Sequence, residues 1–388
     1  MSQAAVPDYV GQNFSECPPG HRFNLYFRVW NSQWGMDKDG AQSVALREVL
    51  KLPPNVSALM KALGERQQQL ALALPAEQCC VLDAQATSPF ASGLGLEHPI
   101  ENGFAFLSPY GLPYLAGTGV KGVLRRAAEE LRDEGEPGID GALINTLFGP
   151  ENSPDARRGA LTCWDVLPQF DAMTVEIMTP HQSRYYQGTE SPHDAGKPTP
   201  ISFLALPAGA KFRFVFRFEP SLVPEACCSA LTDWQTVVMR IASHAFDWLG
   251  FGAKTAVGYG AMAEDKAARD RREQQMAAAQ DAAAAALREL RKADMSPEQI
   301  EAEDADLWIA EFQSLLAAEK ATKRYKPGSA FDQQRAVVLE RASALLGSAV
   351  RLSVASVLRE SYKFTNWPGN KERKQAVKEL LTRLDGQV

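Results

Sequence analysis

Residues 211–219 alternate without a break. Phe212, Phe214, Phe216 and Phe218 fall on one side, and Lys211, Arg213, Val215 and Arg217 on the other. A period of two predicts a β-strand with one buried aromatic face. The opposite face carries three positive charges, which suits either solvent or RNA phosphates. Residues 21–30 alternate similarly, with Phe23, Leu25, Phe27 and Val29 on one side, and predict an earlier strand before a polar loop at 31–40. Residues 159–166 read as a further strand.

Elsewhere the apolar period is helical. Residues 41–74 predict helix interrupted by Pro53-Pro54. Residues 118–134 predict an amphipathic helix with Val120, Leu124, Ala127, Ala128 and Leu131 inward. Residues 230–249 predict another, with Leu231, Trp234, Val237, Val238, Ile241, Ala245 and Trp248 inward. The Gly- and Pro-rich stretch 91–114 reads as a loop with short strands. This order suits an α+β fold of the ferredoxin type over residues 1–262.

After Met262 the pattern changes. Residues 264–292 are alanine-rich and charged, a long helix. Ser296-Pro297-Glu298-Gln299 is a strong helix start: serine as N-cap, proline first, Gln three residues after the cap. That helix runs to about residue 321. Pro327-Gly328 breaks the chain, Ser329 is placed to cap the next helix, Pro368-Gly369 breaks it again, and Asn370 caps 371–384. Residues 263–388 therefore form an all-helical extension, with no role legible in it.

A net charge of −6 argues against a general basic nucleic-acid binder. Residues 261–388 hold 21 basic and 20 acidic side chains, and the first 260 hold 20 and 27. Any RNA contact in the first part must come from local cations and backbone N–H groups. The six cysteines contain no C-x-x-C, and no histidine or cysteine stands at ligand spacing from another, so no metal or other cofactor is expected. Vicinal Cys79-Cys80 and Cys227-Cys228 read as reduced thiols of a cytoplasmic protein. No signal peptide or membrane-length apolar run is present in the sequence.

Two glycine-rich segments carry candidate chemistry. Residues 250–260 read Gly-Phe-Gly-Ala-Lys-Thr-Ala-Val-Gly-Tyr-Gly. A nucleotide P-loop needs glycine before the lysine and a helix after it; here Ala253 precedes Lys254, and a helix comes before the loop. Two readings remain: a tight helix-to-strand connection, and a loop tracking a nucleic-acid backbone through Gly250, Gly252, Lys254 and Thr255. In Gly117-Thr118-Gly119, Thr118 is a plausible N-cap, with Lys121 and Arg125 a turn apart on one side. The macrodipole favours an anion there, either an RNA phosphate or nothing beyond an ordinary cap.

Four segments together carry a family resemblance. They are Gly93-Leu94-Gly95 with His98-Pro99 and Glu101-Asn102-Gly103; residues 113–125; Met178-Thr179-Pro180-His181 with Tyr185-Tyr186 and Pro198-Thr199-Pro200-Ile201-Ser202-Phe203; and the loop 250–260. Leu147-Phe148-Gly149, Arg158-Gly159 and Asp165 fit between them. In this order they resemble the RAMP superfamily of CRISPR-associated proteins. The third segment narrows the likeness to the sixth-subunit family of type III-B (Cmr) effector complexes. The likeness spans roughly residues 20–262.

The resemblance implies a modified ferredoxin-like (RRM-like) domain with insertions. It also implies a subunit without catalysis of its own that caps a filament near the 3′ end of the CRISPR RNA. Guide RNA, target RNA and other Cmr or RAMP subunits would be its partners. His181, Arg184, Tyr185 and Tyr186 could sit on a protruding hairpin, either stacking on bases or packing into a neighbouring subunit. The alternative is an endoribonuclease of the same superfamily, since His98 with Glu101, or Asp37 and Asp39 in the early loop, suggest acid–base chemistry. Nothing places a second group beside His98, and the Asp37–Asp39 loop does not match well enough to inherit a role.

Overall fold

The computed structural model describes residues 2–36, 41–100, 102–151, 157–179, 183–189, 191, 200–228, 231–292, 295–322, 329–342, 345, 348–365 and 370–386. The chain divides into two compact units, Met1–Glu273 and Gln274–Val388.

The first unit opens with helices α1 (Pro19–Asn24), α2 (Ala41–Leu50) and α3 (Pro54–Leu72). Strand β1 (Cys79–Ala86), the short pair β2 (Phe106–Leu107) and β3 (Leu112–Pro113), and helices α4 (Gly117–Asp133) and α5 (Gly141–Phe148) come next. Then come β4 (Leu161–Cys163), β5 (Thr174–Met178), the single turn α6 (Ser183–Tyr186), β6 (Ile201–Ala205), β7 (Lys211–Phe218), α7 (Trp234–His244) and β8 (Met262–Glu264).

Four strands form an antiparallel sheet in the order β4-β7-β1-β8. With α4 between β1 and β4 and α7 between β7 and β8, the sheet and its helices run β-α-β-β-α-β along the chain. The expected aromatic face of β7 is buried: Phe214 meets Phe246 and Phe251, and Phe218 stacks on Trp234 of α7 at 4.9 Å. The opposite face is not an open basic surface. Val215 is buried, and Arg213 lies opposite Asp83 of β1. Arg213 donates to Asp83 (2.7 Å) and to Gln68 of α3 (3.0 Å), while Arg217 pairs with Glu219 (3.1 Å).

The strand expected at 21–30 is a correction. Pro19, at the first helical position, sets φ for a helix that ends at Asn24, and Phe27, beyond its end, packs edge to face on Phe23 at 5.6 Å. Leu25, which the alternation placed inward, is exposed. Of the helix expected over 230–249, Trp234–His244 is α-helical, and the last turn, Ala245–Leu249, is π-helical. The wider turn rotates the side chains along it out of the α-helical phase, and Trp248 is 77% exposed instead of buried.

The first unit continues past Met262. Helix α8 (Lys266–Lys292) begins after Asp265, whose side chain caps Ala268, and Arg269 pairs with Glu264 at 2.6 Å. Arg272 donates to Asp83 at 2.9 Å, so a buried carboxylate between two guanidinium groups holds the start of α8 to β1.

The second unit contains the rest of α8 with α9 (Pro297–Thr322), α10 (Ala330–Ala342), α11 (Ser348–Thr365) and α12 (Lys371–Leu384) around its own core, centred on Phe312, Phe331, Val354 and Leu358. The capping box forms as expected: Gln299 N–H donates to Ser296 Oγ, and Ser296 N–H to Gln299 Oε1. Asn370 accepts from Glu372 and Arg373 N–H. Ser329 precedes α10, yet its buried hydroxyl has no partner among the described residues. No helix among the described residues is long and apolar enough to cross a membrane.

Candidate nucleic-acid interface

The start of α4 is already occupied by an anion of the chain itself. Its N-cap position is Ala116, so Thr118 lies inside the helix and is not the cap. Gly117 N–H donates to Asp165 Oδ1 at 2.7 Å. A Cβ on Gly117 would come within 2.2 Å of Cys163 O, so the close approach of the helix to β4 requires glycine. Thr118 and Gly119 are exposed. Lys121 turns inward and donates to Leu161 O at 2.8 Å, and burial lowers its pKa. Beside it, burial pushes the Cys163 thiol up to about 12. Arg125 donates to Gly149 O (2.6 Å) and pairs with Glu129 and Glu151. These two cations brace the helix against β4 and the Leu147-Phe148-Gly149 turn.

The glycine loop folds back on itself. Gly250, Gly252, Gly258 and Gly260 all have positive φ. A Cβ at Gly260 would lie 1.8 Å from Phe251 O, and one at Gly252 would lie 2.3 Å from Ala91 O. Phe251 N–H donates to Gly260 O, Ala253 N–H to Ala91 O and Gly260 N–H to Pro89 O. Most of the glycines thus serve chain-on-chain packing, while Gly252 and residues 256–258 form an exposed ridge.

Lys254 differs from Lys121 and Arg125. It has left-handed backbone at φ +61. Its Nζ lies 2.6 Å from Met178 Sδ and 5.8 Å from the centroid of Phe203. No carboxylate pairs with it among the described residues. Thr255, next to it, opens a short 3-10 turn.

Strands β5 and β6 pair antiparallel on either side of the segment expected to protrude, registered from Thr174↔Ala205 to Met178↔Ile201. The pair packs on the glycine loop: Phe203 meets Tyr259 at 5.6 Å, and Tyr259 donates to Glu176 at 3.2 Å. Lys254 bridges Met178 of one strand and Phe203 of the other. In the segment joining the two strands, Tyr185 and Tyr186 are 46% and 82% exposed. Ile177 on β5 and Val257 on the loop are exposed as well. His181 and the side chain of Arg184 lie outside the described residues.

His98 holds a loop. Its ring stacks on Phe23 at 3.7 Å, its Nε2–H donates to Phe23 O (3.0 Å), and its Nδ1 accepts from Ile100 N–H (3.3 Å). Burial lowers its pKa. Both ring nitrogens are engaged, so neither is placed to take a proton from a substrate. Glu101, Asp37 and Asp39 lie outside the described residues. All six cysteines are free, and no cluster of metal-ligating side chains occurs among the described residues.

The RAMP superfamily model matches residues 83–263. The match begins in β1 at Asp83 and ends in β8, so it takes in the whole β-α-β-β-α-β frame. The chain resembles Cmr6. It is 24% identical over 228 residues to CRISPR system Cmr subunit Cmr6 of Pyrococcus furiosus, covering 44% of this chain and 64% of that protein, under two thirds of its length. It is 23% identical over 232 residues to the Cmr6 of Saccharolobus solfataricus, covering 58% and 72%. Among solved structures it is similar to a chain of the Type III-B Cmr-beta complex bound to cognate target RNA, with a TM-score of 0.37 and 18% identity over 57% of this chain and 69% of that one. Met178 and Phe203 were not expected beside Lys254; the pairing of β5 with β6 brings them there.

Proposed function

We propose that the chain is a subunit without catalysis of its own of a type III-B CRISPR (Cmr) effector complex. It binds guide and target RNA beside other Cmr subunits, and it caps the filament near the 3′ end of the CRISPR RNA. The Cmr6 relatives support the assembly. The strand order β4-β7-β1-β8 supports a modified ferredoxin-like frame with insertions over residues 1–262. Engagement of both His98 nitrogens supports a role without catalysis. Free thiols are compatible with the cytoplasm.

One observation carries the RNA reading. Lys254 is a cation without a carboxylate partner among the described residues, on a backbone conformation that costs about 1 kcal/mol for a residue with a Cβ. Glycine would sit there without strain, so this position spends stability on an ammonium against Met178 and Phe203, on the strands whose connecting segment carries exposed Tyr185 and Tyr186. A phosphate at Lys254 with bases on the tyrosines uses that arrangement. Thr118 and Gly119 would add backbone contacts, and Lys121 and Arg125 act indirectly by holding α4.

The test is RNA binding across a salt series in the assembled complex. Lys254→Ala is expected to weaken binding and lower the salt slope by about one. Lys121→Ala is expected to lower the melting temperature and leave the slope unchanged. An unaltered slope for Lys254→Ala would overturn the placement of RNA on this loop.

A further inference from the structure

The N-terminal helices enclose a cavity of about 430 Å³, and none of its lining residues belongs to the surface above. Its charged lining is four cations, Arg22, Arg28, Arg47 and Lys51, against one carboxylate, Glu48. In a chain of net charge −6 this is a local reversal.

Two of these guanidinium groups are incompletely bonded. Arg22 is 7% exposed, and its Nη groups donate to the carbonyls of Glu48 and Lys51 at the end of α2. Its Nε is buried with no partner among the described residues. Arg28 Nε is in the same condition, and Arg28 Nη1 reaches Glu48 Oε1 only at 3.4 Å. The cations with accessible donors are Arg28, Arg47 and Lys51, and an anion between them accepts charge-assisted hydrogen bonds.

The other wall is flat and apolar. Tyr26 stacks on Phe14 at 4.2 Å with their planes 5° apart, and both line the cavity with Phe27 and Val49. The volume falls among cavities that hold small organic ligands, of roughly 300–1,000 Å³. An inorganic anion would leave most of it empty, and an acidic side chain would leave the aromatic wall unused.

We propose that this cavity binds a nucleoside phosphate, free or as the terminal nucleotide of an RNA. The phosphate lies on Arg28, Arg47 and Lys51, and the base lies along the Phe14–Tyr26 wall. The site stands apart from the Lys254 surface, so either can fail without the other.

The experiment is equilibrium dialysis of the full chain with adenosine 5′-monophosphate. Adenosine, inorganic phosphate, a 5′-phosphorylated RNA tetramer and an acidic pentapeptide serve as competitors. Saturable binding of the nucleotide is expected, with adenosine and phosphate each competing at least about tenfold more weakly. Arg22→Ala removes a support of α2, so Arg28→Gln is the decisive variant. It should lose at least about tenfold in nucleotide affinity with an unchanged melting temperature and unchanged salt-dependent binding of long RNA. Competition by the tetramer at or below the nucleotide's own concentration identifies an RNA end as the source. Weaker competition identifies a free nucleotide. No saturable binding, equal binding by Arg28→Gln, or better competition by the acidic peptide would overturn the proposal. The last outcome would assign the cavity to a protein partner.

Discussion

His98 is a residue whose chemistry is decided by its two neighbours. Ile100 N–H points at Nδ1 and Phe23 O receives the Nε2 proton, which selects the neutral tautomer. Protonating Nδ1 breaks one of these bonds in a poorly solvated place, so the folded pKa is below the ordinary value. In that case the unfolded chain binds more protons, and stability falls as pH drops below about 6.5 towards the folded pKa. Urea midpoints between pH 7.5 and 5 should therefore decline more steeply for the natural chain than for His98→Gln. Parallel curves would show that His98 titrates normally. At this scale the sequence is informative where a residue acts on its own backbone. Glycine at 260 is legible as a conformational requirement, but Phe251 O as the atom that excludes a Cβ is not.

At the scale of elements, local signals succeed and long-range partners escape. The Ser296 box and the Asn370 cap involve atoms within three residues, and both form as read. The start of α4 is different. Asp165, 48 residues along the chain, supplies the anion that the helix start attracts. Asp165→Ala is expected to destabilise the first unit by about 1 kcal/mol, measured by urea unfolding, since it removes a charge-assisted cap. If the start of α4 instead binds RNA phosphate in competition with Asp165, the same change will strengthen RNA binding. The period at 21–30 misleads because Phe23, Phe27 and Val29 are all buried without sharing one strand: Pro19 starts a helix that ends at Asn24, and the chain after it runs irregularly.

At the scale of the molecule, each unit has its own core. The first unit extends to Glu273 because Asp83 on β1 is paired with both Arg213 and Arg272. A chain ending at Glu273 is expected to melt cooperatively. A chain ending at Asp265 keeps β8 but leaves the buried Asp83 with one partner, and should be less stable by about 3 kcal/mol. Equal melting temperatures for the two would remove Arg272 from the account.

The sequence by itself determined the strand at 211–218, the helices at 118–134 and after 264, the caps at Ser296 and Asn370 and the order of the family segments, because these depend on neighbours within a few residues or on motif order. Only the tertiary structure decided which cations are free. Lys121, Arg125 and Arg213 look as available as Lys254 along the chain. Folding brings Leu161 O, Gly149 O and Asp83 to the first three, and leaves Lys254 beside a thioether and an aromatic ring. A cation's availability depends on which acceptors come within about 3 Å of it, and that is set by packing between distant segments.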